Sequence, residues 1–187
     1  MNNAATSKEE IIAACRDIAE ADGLGAVNMR AVASRCGVAL GCIYNYYPSK
    51  AALLSALVGD IWSGIFGDAD SRPKADVTLC AKWIFDRVKA GSDRFPSFLS
   101  VHPSGFAGEE KADGRGAMTD FRSGMAGWLK EALSADPAAD MSVFSESFTP
   151  DDFANFVLEN IIAALSNRKE NCGTLLKVID LAIKGGK

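Results

Sequence analysis

The residues able to do covalent chemistry are few and scattered. His102 is the single histidine, and the five cysteines, Cys15, Cys36, Cys42, Cys80 and Cys172, form no CxxC pair. Acid–base catalysis needs a titrating side chain aimed at a reacting proton, and a zinc site needs Cys or His ligands at short spacing. No Ser/His/Asp, HExxH, phosphate-loop or dinucleotide pattern appears. We therefore expect no enzyme, no metal and no cofactor. A helical enzyme built on His102, Cys80 or Cys172 is the weakest alternative. An odd thiol count without zinc spacing reads as small buried hydrophobes in a reducing compartment. The other reading is a redox-sensing thiol at Cys36, expected in the core, or at Cys42.

A second kind of chemistry is better represented, the holding of a polyanion. The chain carries a net charge of −4, which argues against a general nucleic-acid coat. Its distribution says more. Residues 23 to 59 hold no Asp or Glu but do hold Arg30, Arg35 and Lys50, while residues 1 to 22 hold five acids against Lys8 and Arg16. A cationic segment inside an acidic chain suits a polyanion met over one small surface. Tyr44, Asn45 and Tyr46 stand in that segment and offer hydrogen bonds to phosphates or base edges.

These groups must be positioned by helices. Ser7 and Glu10 make an S-x-x-E capping box for a helix over Ser7–Asp22, whose apolar positions recur at helical spacing until Gly23 and Gly25. Asn28 is the cap of a second helix, Met29–Cys36, and Gly37 supplies a left-handed turn residue. A short third helix, Leu40–Tyr46, ends at Pro48, and Ser49 caps a fourth that runs from Lys50 to about Phe66. Further helices are expected over Asp76–Gly91, Ala117–Ser134, from Pro150 to about Asn167, and over Glu170–Lys184. Residues 92 to 116, rich in Gly and Pro, are expected to be irregular, with room for one short helix near Pro96–Val101. No alternating strand is present, so the fold class is all-α with eight or nine helices. The polar N-terminus lacks a signal pattern and no apolar run reaches a membrane span, so a cytoplasmic protein without membrane contact is expected.

Residues 28 to 47 read as a helix-turn-helix, in which the second helix enters the major groove and the first crosses the backbone. The pattern Gly23, Met29-Arg30, Val32-Ala33, Cys36-Gly37-Val38, Ile43-Tyr44, Tyr46-Tyr47, Ser49-Lys50 and Leu53-Leu54 resembles the TetR family of bacterial transcriptional regulators over about residues 8 to 57. The resemblance implies a three-helix DNA-binding head, residues 1–48, and a larger helical ligand-binding and dimerisation domain, residues 49–187. By it, Tyr46 and Lys50 would hold phosphates, and Tyr44 would pack and touch the backbone. Arg30 and Asn45 would reach a base or phosphate, and Leu40 and Gly41 would face the groove floor. Asn28 and Ala39 complete the candidate DNA-contacting set. The family commonly has Ser or Thr where this chain has Ala39, which forgoes a cap worth about 1 kcal/mol. Tyr47 is expected to point inward.

For the remaining chain the resemblance implies a homodimer on palindromic double-stranded DNA and a small-molecule effector. The helices over about 150–167 and 170–184 carry apolar arcs wider than one core face needs, which suits a four-helix interface between copies. Asn160 lies within that arc, as a register residue, a pocket residue or a satisfied buried amide. Trp62, Phe66, Trp83, Phe98, His102, Phe121, Met125 and Trp128 are the candidate lining for an apolar or aromatic ligand, with ordinary core packing as the competing account. The function expected is a repressor released by such a ligand.

Overall fold

The fold is described from a computed structural model over residues 6–96, 98–99 and 110–185, with the backbone alone for 110–120. Among these residues there are eight α-helices and no strand, only an isolated bridge between Ser145 and Phe148. The helices are α1 Lys8–Asp22, α2 Met29–Cys36, α3 Leu40–Tyr46, α4 Lys50–Ile65, α5 Val77–Arg94, α6 Glu110–Ala135, α7 Pro150–Ser166 and α8 Gly173–Ile183. The all-α expectation therefore holds. No described helix is long and apolar enough to cross a membrane.

Most helix starts follow the capping residues. Ser7 Oγ accepts the Glu10 N–H at 3.1 Å, while the Glu10 carboxylate accepts the Ser7 N–H at 3.0 Å. Ser49 Oγ accepts from Ala52 at 3.0 Å. Thr149 and Asp152 make a reciprocal box at the start of α7, with Pro150 in its first turn. Phe148 precedes that cap and lies edge-on to Phe153 at 6.4 Å, a hydrophobic staple that fixes how the chain enters α7.

Three boundaries differ from expectation. Helix α6 begins at Glu110, within the stretch expected to be irregular. Its first turns, Glu-Lys-Ala-Asp-Gly-Arg-Gly, carry two glycines and no large apolar residue to mark a face. Helix α5 runs on to Arg94, and α8 starts at Gly173 rather than Glu170. Pro96, Phe98 and Leu99 are in turns, not a helix.

Contacts divide the chain into two compact units, residues 1–66 with 90–119, and residues 67–89 with 120–187. In the first, Ile11, Cys15, Val32, Ile43, Leu53 and Leu57 are fully buried, and each aliphatic side chain there contributes about 1.5–3 kcal/mol. Trp62 stacks on Phe66 at 5.8 Å and meets Phe98 at 5.0 Å. Gly91 lies so close to Ile65 that a Cβ would come to 2.3 Å from its Cδ1.

In the second unit, Cys80, Ile84, Leu129, Val157, Ile161 and Ile179 form the buried centre. A polar joint secures its helix ends. Asp136 accepts the N–H groups of Val77 at 3.2 Å and Ala138 at 3.0 Å, and pairs with Lys184 at 3.2 Å. Lys184 also pairs with Asp76 at 3.2 Å, and Thr78 donates to Asp180 at 2.7 Å. Burial pushes the Asp136 carboxyl up, but the two N–H donors and the ammonium outweigh it, leaving it below the usual carboxylate range.

Candidate nucleic-acid interface

Asn28 starts the first helix of the motif. It is extended, and its Oδ1 accepts the N–H groups of Arg30 at 3.2 Å and Ala31 at 3.0 Å. Its amide nitrogen donates back to Ala26 at 3.0 Å, so the cap is held from both sides. The bond network makes Asn28 a scaffolding residue of the motif, whatever else its exposed side chain touches.

Gly37 ends α2 at φ 67°, a conformation that costs a residue with a Cβ about 1–2 kcal/mol. The Gly37 N–H donates to Ser34 at 3.2 Å and the Val38 N–H to Ala33 at 3.0 Å, the two bonds of a Schellman closure. Val32, Ala33 and Ile43 are buried beneath this turn, with Val38 half-buried. The turn that sets α3 against α2 is therefore made from main chain and core, and uses no side chain of the outer face.

Helix α3 starts without a side-chain cap. Ala39 is extended at φ −66° and ψ 147°, and the first turn is closed only by the Cys42 N–H to the Ala39 carbonyl at 2.9 Å. Its outward surface holds Ala39, Gly41, Tyr44, Asn45 and Tyr46, all exposed, with Leu40 and Cys42 half-buried. Tyr47 turns inward and is 8% exposed, as expected. Burial raises its phenol above the usual value.

The basic residues divide by partner. Arg35 pairs with Asp17 at 2.9 Å, so part of the cation excess counted along the sequence is compensated in space. Arg16 grips both oxygens of Asp60 at 3.1 and 2.9 Å, tying α1 to α4. Arg30 and Lys50 are exposed and stand in the first turns of α2 and α4. A cation there opposes the helix dipole at a cost of about 0.3–1 kcal/mol each. Fold stability alone does not favour that placement; an incoming anion does. The sequence carried this signal in the helix starts it predicts. Tyr46 has a partner that no sequence pattern announces, for its hydroxyl donates to the Thr6 carbonyl.

The candidate ligand residues fall into two groups. Trp62, Phe66 and Phe98 form one ring cluster in the first unit. Trp83 and Trp128 meet edge to face at 5.9 Å in the second, where Met125 is buried and Phe121 half-buried. His102 lies outside the described residues. A separate surface cleft of about 440 Å³ in the first unit is lined by Lys8, Glu9, Ile12, Arg16, Tyr47 and Asp60, and includes none of these candidates. Asn160 is half-buried and spends its amide on the Phe156 carbonyl of its own helix at 2.8 Å, the satisfied-amide reading.

Cys15, Cys80 and Cys172 are buried, whereas Cys36, expected in the core, is half-buried like Cys42. Burial pushes Cys15 up to about 12 and Cys80 up to about 11, and raises Cys36 and Cys172. The thiolate is the reactive form, so burial disfavours it most at Cys15 and Cys80. Among the described residues no group of three His, Cys, Asp or Glu is placed to hold a metal.

With this geometry in view, residues 6–57 match the family described as bacterial regulatory proteins, tetR family. That match covers the whole helix-turn-helix and stops within α4. Over 71 residues the chain is 41% identical to the HTH-type transcriptional repressor KstR of Mycobacterium tuberculosis, a segment that is 38% of this chain and 32% of KstR. The chain thus spans about a third of the length of the curated relatives it matches. Across nearly the whole chain the fold is similar to Escherichia coli NemR in its reduced form, with a TM-score of 0.65, 18% identity, and coverage of 94% of this chain and 96% of that one. It is similar also to FadR of Bacillus subtilis in complex with stearoyl-CoA, with a TM-score of 0.60, 14% identity, and coverage of 96% and 99%.

Proposed function

We propose that the chain is a DNA-binding transcriptional repressor whose α3 reads a palindromic operator in the major groove. The observation that carries this reading is the pair of exposed cations, Arg30 and Lys50, in the first turns of the two helices flanking α3. In this reading the two cations meet phosphates on either side of the groove that α3 enters. That KstR, 41% identical to this chain over 71 residues, is a repressor supports the sign of regulation.

The DNA-contacting set in this reading is Arg30, Leu40, Gly41, Tyr44, Asn45 and Lys50, with Asn28 and Ala39 shaping the helix starts. Homodimerisation through α7 and α8 is supported by Phe156, Val178 and Leu181, which are 47%, 42% and 56% exposed. Large apolar side chains left on neighbouring helices suit a partner copy. An apolar or aromatic effector is supported by the aromatic content of the candidate lining, and FadR, of the same fold, is known with stearoyl-CoA. Release of DNA then requires an effector that favours the non-binding dimer by roughly 1–3 kcal/mol.

The test is a salt titration on a duplex selected from a random pool by the wild-type chain. Lys50→Ala should weaken binding to all duplexes and reduce the slope of log affinity against log salt by about 0.9. Its fold should not suffer, because the substitution removes a cation from a helix start. A slope equal to wild type removes Lys50 from the interface.

A further inference from the structure

We propose that Tyr46 is a positioning residue that sets the angle of the reading helix, and not one of the groups that hold phosphate. The inference rests on the DNA-binding reading and deepens it. Tyr46 is the last residue of α3, and its hydroxyl donates to the carbonyl of Thr6, next to Ser7, the cap of α1. The bond joins points 40 residues apart, from the exit of the third helix to the entrance of the first. A phenol has one hydrogen to give. While it is given to Thr6, the oxygen presents only lone pairs, and a phosphate also presents only acceptors. The two would repel, so the tie and a phosphate contact exclude each other.

The surroundings favour the tie. Tyr47, the next residue, is buried, so the end of α3 is anchored by two consecutive side chains, one in the core and one across the surface. At its other end α3 has no side-chain cap, only the main-chain bonds around Ala39. The Gly37 turn fixes where α3 starts, and the Tyr46 tie holds its finish against the entrance of α1. Tyr46 is 36% exposed, yet its hydroxyl is already given to Thr6.

Tyr46→Phe keeps the ring and deletes the hydroxyl, and three readings separate the accounts. The first is affinity for the selected palindrome, the second affinity for a scrambled duplex of equal length across a salt series, and the third amide exchange in the first turn of α1. A positioning role lowers specific affinity about threefold to tenfold, the equivalent of one net hydrogen bond. It leaves the scrambled duplex and its salt slope unchanged and speeds exchange at Ser7 to Glu10. Restoring a donor with 4-aminophenylalanine at position 46 recovers the specific affinity. A slope reduced by about 0.9 on both duplexes makes Tyr46 a phosphate contact and overturns the proposal. Equal losses on both duplexes at unchanged slope assign it to general stability, which also overturns it. So does exchange identical to wild type. If the wild-type chain retains no duplex at all, the DNA-binding reading falls, and the exchange measurement still decides whether the tie exists.

Discussion

Replacing Ala39 by Ser should stabilise the helix-turn-helix. Besides α5, which Asp76 caps, four described helices start from a residue whose side chain accepts a first-turn N–H, namely Ser7, Asn28, Ser49 and Thr149. Their ψ values are 167°, 161°, 163° and 162°, and the acceptor lies 3.0 to 3.2 Å from the donor nitrogen. Ala39 has ψ 147° and φ −66°, close to the φ of −93° at Thr149, and lacks only the oxygen. Ser at this position brings Oγ to the N–H groups of Gly41 and Cys42 without moving the backbone, and Ala39 is exposed, so nothing is displaced. The gain expected for a cap is about 1 kcal/mol, roughly fivefold in the folding constant. For a chain of this length that corresponds to about 2–4 °C in Tm. Urea unfolding gives the global figure, and amide exchange at Gly41 and Cys42 locates it. An unchanged or lowered midpoint together with unchanged exchange would mean that the N-terminal turn of α3 is not limited by its missing cap, and the reasoning would fail.

Three other outcomes are expected. Arg168→Gly should raise stability by about 0.5–1 kcal/mol in urea, because Arg168 ends α7 at φ 53° and Gly takes that conformation without a Cβ penalty. Asp136→Asn should cost about 1–3 kcal/mol at pH 7, because it neutralises a carboxylate 3% exposed that pairs with Lys184, while Asp76 still holds the ammonium. Because the Asp136 pKa is lowered on folding, its contribution is complete above the unfolded value near 3.8 and is lost as pH falls through the folded value, so the variant should show a smaller stability loss as pH falls below about 3.8. Leu181→Glu should leave the helix content intact and shift the sedimenting species from dimer to monomer, and a persisting dimer would move the interface away from α8.

The motif was legible because its determinants are local. Asn28, Gly37 and Ser49 each act on groups within five residues, and the structure places them as their types predict. The box at Thr149 and Asp152 is equally local. The features missed depend on distance or on an unusual residue. Arg35 with Asp17 and Tyr46 with Thr6 need the packing angle of α1 before they can be seen. Helix α7 ends in the same closure as α2, with Lys169 donating to Ala164 at 3.0 Å and Arg168 to Leu165 at 2.9 Å, but an Arg in the left-handed position gives a reader no warning. The early start of α6 was hidden by its glycines, which lower helix propensity by about 1 kcal/mol each without forbidding the helix.

The turn at Gly37 has a consequence for how such a protein changes over time. Because main-chain bonds and buried aliphatics hold the start of α3, the side chains of the outward residues Gly41 and Asn45 take no part in that turn. Substitutions there can accumulate without a stability debt, and a duplicated copy of the chain can drift toward a new binding sequence one residue at a time while remaining folded at every step. The architecture separates what must be conserved for the head to exist from what is free to diverge for it to recognise something else.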